Sequence, residues 1–504
     1  MSQSRSKKAL RNTFCQLLLE AVTAICGLIL PRLILARFGS SYNGITQSIT
    51  QFISCVALLK SGIGSVTRAA LYKPLAQHDS TAISEVINAT EKFMRKIALI
   101  FSVAVLIFAA IYPLMVAEDF SWEFAFTLVL ILSISTVAQY FFGITYQMLI
   151  EADQCNYIIS LLQIITTVAN TVVSAILIKV GCTIHIVKLG SAFVFIIAPL
   201  FYYFYARKKY NIDKRVKANN SLISQRWDAF GHQLANFVNN NTDIIITTAF
   251  LGVREVSVYA VYAMIASNIK KIINSFTSGT TAAFGNMIAK NEQDTLKKRF
   301  EQFEVAIFYI CSLMFITTAI LFVPFIALYT KGIYDVDYCR PVLGYLFCIA
   351  EFFACIKLIY ENVVFAAGKF KETRNMAYME ATINIIVSVV LAKIIGLTGI
   401  IIGTILAGVF RTIVYNLYAS VNIVYRKPRK IVKKIIYVMA SSIICFCIVQ
   451  AIGLPIIENY LQWMFLAVFV LIIAFFITTL LGVVLFRKEF IGLLNIIVRS
   501  HKNR

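Results

Sequence analysis

The chain has 504 residues, of which 59% are hydrophobic and 14% charged, with a mean hydropathy of +0.78 and a formal net charge of +22. A soluble protein of this length needs more polar surface than that, so the composition predicts an integral membrane protein. Cationic loops that face an anionic leaflet account for the charge, and nucleic-acid binding is therefore not expected. The eleven cysteines are scattered through apolar runs, without the spacing of a zinc site or a disulfide framework.

Apolar runs long enough to cross a bilayer, which takes about 20 residues in a helix, recur along the whole chain. Six fall in the first half, at 13–35, 43–67, 97–117, 125–149, 157–179 and 186–206. Six more repeat this layout, at 229–251, 256–280, 305–329, 341–365, 377–396 and 398–424. Two further runs follow, at 434–455 and 463–486. The predicted fold class is therefore all-α and integral to the membrane, with about 14 transmembrane helices.

The two sets of six runs are related by an internal repeat. At an offset of 213, the matched pairs include Gly39 with Gly252 and Thr67 with Thr280. At an offset of 214, they include Tyr146 with Tyr360, Asn170 with Asn384 and Ser174 with Ser388. Duplicated membrane proteins are commonly transporters whose substrate site lies between the repeats. We expect two pseudo-symmetric six-helix lobes at 1–206 and 229–424, a cytoplasmic linker at 207–228, and two extra helices with a basic tail at 425–504.

The orientation of the spans follows from the positions of the cations, because Lys and Arg in short loops are retained on the cytoplasmic side. With the N-terminus inside, the inner segments hold 33 of the 47 Lys and Arg residues, and the outer loops and their margins hold only seven. A missed span would invert every later loop and remove this bias. Both termini are therefore predicted to be cytoplasmic.

The loops are too short to house an enzyme. The longest inner connections, Lys73 to Lys96 and Arg207 to Asp228, contain neither a glycine-rich phosphate loop nor a cluster of carboxylates. We therefore expect no catalytic residues, no metal site and no cofactor.

Charged residues inside the spans are the candidates for function, because each is costly in hydrocarbon unless it faces protein or water. The basic ones are Arg32, Lys60, Arg68, Lys270, Lys271, Lys357 and Arg411. The acidic ones are Glu20, Asp243, Glu351, Glu361 and Glu380. Helical spacing also predicts a polar stripe of Glu380, Asn384 and Ser388 on the eleventh span.

Two equivalent spans carry polar stripes of their own. Gln16 and Glu20 share one face of the first span, and Asn240 and Asp243 share one face of the seventh. In a duplicated protein, such stripes are expected to face a shared cavity.

Each of these features also has a purely structural explanation. Arg32 and Arg68 lie toward span ends, where snorkelling to the headgroups explains them equally well. Lys357 and Glu361 stand four residues apart, a spacing at which they can neutralise each other. The run Asn239 to Asn241 can instead form hydrogen bonds between helices.

Three segments resemble bacterial polysaccharide flippases of the multidrug/oligosaccharidyl-lipid/polysaccharide exporter superfamily. They are LPRLILARFGSSYNGITQSI, GIGSVTRAALYKPLAQHD and NNNTDIIITTAFLGVREVSVYAVYAMI, and the likeness covers spans 1 to 12. The resemblance implies two six-helix lobes arranged in a V around a central cavity. It also implies the flipping of undecaprenyl-diphosphate-linked oligosaccharides across the bacterial cytoplasmic membrane, for O-antigen, capsule or exopolysaccharide synthesis. Arg68 matches the arginine that such proteins carry at the inner end of span 2.

The residues within the spans suit that substrate. Cations lower the cost of moving a diphosphate through the membrane, and Arg suits bidentate phosphate contacts. The candidate substrate-binding residues are Arg32, Lys60, Arg68, Asn240, Lys271, Lys357 and Arg411. Glu20 and Asp243 are the candidate ion-coupling residues, for H+ or Na+. Expected partners are membrane lipids and the glycosyltransferases and polymerase of the same pathway.

Two alternatives stay open. An ion-coupled multidrug exporter of the same superfamily would share the repeat but recognise cationic amphiphiles, and the basic residues within the spans weigh against it. A non-transporting scaffold of a polysaccharide assembly complex has no need of paired polar stripes at matching places in two halves.

Overall fold

The computed structural model describes residues 5–56, 63–218, 230–277, 280–453, 455 and 457–492. Every regular element in these residues is a helix. The helices of the first half are α1 (Arg5–Phe38), α2 (Ser40–Val56), α3 (Ile63–Gln77), α4 (Ser80–Met115), α5 (Trp122–Ala138), a π-helical turn (Gln139–Gly143), α6 (Ile144–Ala152), α7 (Asn156–Val180) and α8 (Ile184–Tyr210). The rest are α9 (Phe230–Leu251), α10 (Val253–Thr277), α11 (Thr280–Ala289), α12 (Gln293–Tyr329), α13 (Pro341–Ala366), α14 (Phe370–Ile395), α15 (Leu397–Asn422), α16 (Lys430–Ile452) and α17 (Tyr460–Leu485).

The prediction of an all-α membrane protein is confirmed. Within the described residues, 12 helices are long and apolar enough to cross a membrane. They coincide with 12 of the predicted spans, and α5, the π-helical turn and α6 together form one of them. The remaining two predicted spans fall on α2 with α3, where residues 57–62 lie outside the described part, and on α9, which is rich in Asn and Thr. The count of 14 therefore stays a prediction.

The chain divides into two compact units, Met1–Ser257 and Val258–Arg504. Unit 1 contains α1 to α9 and the first residues of α10, and unit 2 contains the rest of α10 and α11 to α17. The finer boundaries at residues 206, 228 and 424 remain predictions.

The internal repeat is visible in the backbone. The break between α1 and α2 falls at Gly39 (φ 88°), and the break between α9 and α10 falls at its match in the repeat, Gly252 (φ 82°). Glycine is the usual residue in this left-handed region, because it has no Cβ to clash. Three further pairs share a positive φ at an offset of 213 or 214: His78 with Asn291, Gln154 with Gly368, and Asn211 with Tyr425. Helices in the two halves thus end at equivalent residues.

Close helix packing in unit 1 depends on a glycine at the π-helical turn. A Cβ on Gly143 would lie 2.6 Å from the Cβ of Pro199 on α8. One turn away, the rings of Phe101 on α4 and Tyr140 stack with their centroids 4.8 Å apart. These contacts join α4, the turn and α8 in one core.

The two helices beyond the repeat belong to the core of unit 2. Cys445 and Val449 of α16 and Val470 of α17 are buried together with Ile316 and Ile320 of α12. The ring of Phe325 also lies 5.0 Å from that of Trp463 on α17. α16 and α17 therefore cover one face of α12.

Candidate functional site

A cluster of charged side chains lies inside unit 2, where α13, α14 and α15 meet. The Lys357 ammonium is 2.9 Å from Glu380 Oε1, and Arg411 Nη1 is 3.4 Å from Glu380 Oε2. Glu380 and Arg411 are each only 4% exposed, and Lys357 is half-buried. One buried carboxylate is thus shared by two cations from two different helices.

The packing of α14 on α15 creates this arrangement. Glu380, Asn384 and Ser388 all lie on the buried face of α14, as the predicted stripe requires. A Cβ on Gly403 of α15 would lie 2.2 Å from Ser388 Oγ, so glycine allows the two backbones to approach. Ser388 Oγ donates to the Ile400 carbonyl (3.1 Å). The close approach brings Arg411, two turns further along α15, within reach of Glu380.

Two more side chains complete the charged cluster, which we define as Lys357, Glu361, Glu380, Arg411 and Tyr415. Arg411 donates to the Tyr415 hydroxyl, and its guanidinium lies 4.0 Å from the centroid of the Tyr415 ring. Glu361 follows Lys357 by one turn of α13 and interacts electrostatically with Lys357 and Arg411. Two acids and two bases make the cluster neutral as a set, which limits its cost in the membrane.

Arg68, predicted from the resemblance, forms an ion pair in unit 1. Its Nη1 lies 2.7 Å from Glu151 Oε2, which joins α3 to the end of α6. Both side chains are half-buried. Sequence reasoning did not find Glu151, because 83 residues separate it from Arg68.

The polar stripe on the first span links α1 to α7. Gln16 Nε2 donates to Glu20 Oε1 (3.1 Å), and Ser160 Oγ of α7 donates to Gln16 Oε1 (3.2 Å). Glu20 itself is exposed, while Arg32, further along α1, is half-buried. The spacing that placed Gln16 and Glu20 on one face is confirmed.

Hydrogen bonds connect α2 with the first helices of the second half, all within unit 1. Gln51 donates to Asn241, and the hydroxyls of Ser48 and Thr248 are 2.8 Å apart. Near the other end of α2, a Cβ on Gly44 would overlap the Val253 carbonyl, so only glycine fits. Asn241 therefore takes part in a hydrogen bond between α2 and α9. This agrees with the structural explanation of the asparagine run, in which its side chains bond helices together. Asp243 is buried, and the side chain of Asn240 lies outside the described residues.

The remaining predicted residues do not join the charged cluster. Lys271 is exposed on α10, and its neighbour Lys270 pairs with Glu351 (2.8 Å). Lys60 lies outside the described residues. The structure thus brings Lys357 and Arg411 to one carboxylate and places Arg32, Arg68, Glu20 and Asp243 in unit 1. In the described part of the chain, no group of three or more His, Cys, Asp or Glu side chains could hold a metal ion.

Comparison with solved structures defines the class of the fold. The lipid II flippase MurJ, in an inward closed conformation, is similar over 95% of this chain and 99% of its own, with a TM-score of 0.69 and 14% identity. An inward-facing multidrug resistance MATE family transporter of the MOP superfamily is similar over 79% of this chain and 95% of its own, with a TM-score of 0.61 and 13% identity. A MOP superfamily transporter from Pyrococcus furiosus is similar over 82% and 96%, with a TM-score of 0.55 and 12% identity. The chain has the fold that these transporters share.

The family follows from the sequence. The polysaccharide biosynthesis protein family matches residues 9–284, more than half of the chain, and the chain belongs to that family. No curated protein matches the sequence. The similar structures are a flippase and transporters, in agreement with the prediction that the chain is not an enzyme. It is a multi-pass membrane protein.

Proposed function

We propose that this protein flips an undecaprenyl-diphosphate-linked oligosaccharide across the bacterial cytoplasmic membrane by alternating access, for the synthesis of a surface polysaccharide. Its family and the fold that it shares with a lipid II flippase support a lipid-linked substrate. The observation that carries the proposal is the pairing of Lys357 and Arg411 with the Glu380 carboxylate within membrane-spanning helices. Both termini are cytoplasmic in this proposal.

The charged cluster supplies what a diphosphate headgroup needs in the membrane. Arg411 is buried, and a guanidinium offers two parallel donors to a phosphate. In the structure, Glu380 accepts a hydrogen bond from Lys357 and forms an ion pair with Arg411 Nη1 at 3.4 Å, so it acts as a resident anion next to those donors. When the diphosphate binds, it replaces Glu380 on Lys357 and Arg411. The cost of burying the diphosphate charge is thereby lowered by cations that are already desolvated.

The arriving diphosphate adds negative charge to a cluster that is neutral as a set, and a cation can neutralise the displaced Glu380 carboxylate. We propose that H+ or Na+ enters with this displacement and couples transport to an ion gradient. Glu20 and Asp243 remain proposed coupling sites in unit 1, and Glu361 is the second carboxylate of the charged cluster in unit 2. If transport persists after Glu20 and Asp243 are both neutralised, those two residues have no coupling role.

The test combines a deletion strain with reconstituted protein. Deletion should abolish surface polysaccharide, and purified protein should flip a fluorescent undecaprenyl-diphosphate oligosaccharide in proteoliposomes. Lys357→Met and Arg411→Met should lower the flipping rate by about tenfold or more, since each removes a charged phosphate contact. Lys371→Met, at an exposed lysine of α14, is the matched control and should flip at the wild-type rate. Equal rates in all three variants would contradict the assigned site.

An ion-coupled multidrug exporter is the second candidate, because the fold is also that of a MATE family transporter. The same strains separate the two functions. A flippase deletion removes surface polysaccharide and leaves drug tolerance unchanged, whereas an exporter raises resistance to cationic drugs when it is overproduced. A non-transporting scaffold would restore polysaccharide in cells and flip nothing in proteoliposomes.

A further inference from the structure

The repeat places a glutamate at the same position of a long helix in each unit. Glu91 of α4 and Glu304 of α12 are matched at the offset of 213. Each accepts a hydrogen bond from a tyrosine that is also equivalent, Tyr146 for Glu91 (3.1 Å) and Tyr360 for Glu304 (2.5 Å). The same carboxylate and hydroxyl therefore recur in both units.

Each glutamate also binds a cation from the segment that follows the last helix of its repeat. Lys214 Nζ, beyond α8, is 3.5 Å from Glu91 Oε1. Arg426, beyond α15, lies 2.5 Å and 2.7 Å from the two oxygens of Glu304, and Lys434 of α16 lies 2.8 Å away. We call the first set, Glu91 with Lys214, the linker clamp. The second set, Glu304 with Arg426 and Lys434, is the core clamp.

A second position one turn earlier repeats in the same way. Asn88 donates to the carbonyls of Asp213 and Val216, both at 2.9 Å. Its equivalent at the same offset, Glu301, pairs with Lys430 at 2.5 Å. The equivalent helices α4 and α12 thus hold the outgoing chain at two matched positions.

The two clamps differ in burial, and burial decides whether a clamp can open. In the core clamp, the side chains of Glu304, Arg426 and Lys434 are 0%, 0% and 5% exposed. Opening it would leave a buried carboxylate and buried cations without partners, which is strongly unfavourable.

In the linker clamp, Lys214 is 40% exposed and can return to water. Glu91 keeps a second cation, since Arg95 Nη2 lies 2.7 Å from Oε1. Glu91 is buried, but it keeps Arg95 as a partner when Lys214 leaves, so opening strands no charge.

We propose that the Glu91–Lys214 pair opens during the transport cycle and lowers the cost of local opening in residues 211–218, whereas Glu304 keeps α16 fixed to α12 throughout. The transport cycle in this statement rests on the proposed function. Glu91 and Lys214 are positioning residues, because they act on the segment that leads into the second half of the chain. The core clamp makes α16 and α17 a permanent part of unit 2.

Amide hydrogen exchange on the full-length protein in nanodiscs tests both halves of the proposal. The segments compared are 211–218 and 423–430, in wild type, Glu91→Gln and Lys214→Gln. The matched control is Lys208→Gln, an exposed lysine in the last turn of α8. Undecaprenyl diphosphate is the ligand probe, and its binding is measured in the same samples.

The proposal expects Glu91→Gln and Lys214→Gln to raise exchange in 211–218 by roughly tenfold, as a lowered cost of local opening does. Exchange in 423–430 should stay unchanged in these variants, and Lys208→Gln should match wild type. Bound undecaprenyl diphosphate should raise exchange in 211–218 of the wild type and leave 423–430 unchanged.

Three results would overturn the proposal. They are unchanged exchange of 211–218 in both clamp variants, an equal rise in the Lys208→Gln control, and unchanged exchange of 211–218 in wild type with the probe bound. If the probe does not bind at all, the proposed substrate is wrong, and the variant comparison still decides whether the clamp opens. The two failures are therefore distinguishable.

Discussion

Unit 1 and unit 2 follow one helical plan and differ in where they bury charge. Among the described residues, the ion pairs with both partners buried are in unit 2: Arg411 with Glu380, and Arg426 and Lys434 with Glu304. At an offset of 214, the positions of Lys357, Glu380 and Arg411 are occupied in unit 1 by Gly143, Thr166 and Ile197. The two copies share the turns of the backbone, whereas the charged side chains of the cluster are present in unit 2 and absent at the equivalent positions of unit 1.

The outer faces of the equivalent helices α4 and α12 differ in the same sense. Leu99 and Val103 of α4 are more than half exposed, as lipid-facing residues are expected to be. Their equivalents on α12, Ser312 and Ile316, are buried, and Ile316 packs in the core formed with α16 and α17. The two extra helices thus shield the unit that carries the charged cluster, which lowers the access of lipid and water to its core.

The largest expected effect separates the two clamps. Glu304→Gln leaves Arg426 and Lys434 buried with a neutral partner, so we expect a loss of about 3–5 kcal/mol in the free energy of unfolding. Glu91→Gln, at the equivalent whose cations Arg95 and Lys214 are 57% and 40% exposed and can return to water, should cost only about 1 kcal/mol. Denaturant titration in mixed micelles measures both. Equal losses would show that burial does not distinguish the clamps.

A smaller effect tests the packing that forms the charged cluster. Gly403→Ala should destabilise unit 2 by about 1–3 kcal/mol, because the new Cβ would lie far inside the contact distance of Ser388 and force α14 and α15 apart. Gly408→Ala is the control on the same helix, since its Cβ would lie an ordinary 3.5 Å from Phe353. Thermal unfolding of both variants provides the comparison. A Gly403→Ala protein as stable as the control would contradict the account of the close approach.

The smallest effect concerns Asp153, a carboxylate that follows α6 in unit 1 and has no carboxylate at the equivalent position of unit 2. Burial raises the pKa of Asp153, but hydrogen bonds from Lys209 and Tyr210 outweigh it and lower the pKa to about 2. The folded pKa lies below the unfolded value of about 3.9, so the stabilisation is complete above that value and is lost as the pH falls toward 2.

Asp153 also pairs with Lys8 (3.4 Å), and its equivalent in unit 2 is Ala367. Acid should therefore loosen the start of α1 between about pH 4 and pH 2. A fluorescent probe near Lys8 should report the change in wild type, and Asp153→Asn should be loosened already at neutral pH. A wild-type signal that is flat to pH 2 would show that Asp153 does not hold α1.

Much of the fold could be predicted from the sequence, because hydropathy, loop charge and the turn at Gly39 and Gly252 are local properties. The partners of the charged residues could not. Lys357 stands four residues from Glu361 but contacts Glu380, because the close approach of α14 to α15 decides which carboxylate is reached. By the charge rule Arg426 is an inner-loop cation, and its burial against Glu304 depends on a contact across 122 residues.

The most direct test of the central claim is the affinity of purified, folded protein for undecaprenyl diphosphate when the resident anion is removed. If Glu380 occupies the phosphate donors, Glu380→Gln frees Lys357 and Arg411 and should tighten binding by roughly tenfold, since one charge-assisted contact no longer has to be broken. Arg411→Met should weaken binding by a similar factor. Weaker binding in Glu380→Gln, or equal affinities in all three proteins, would contradict the assignment of this cluster to the diphosphate.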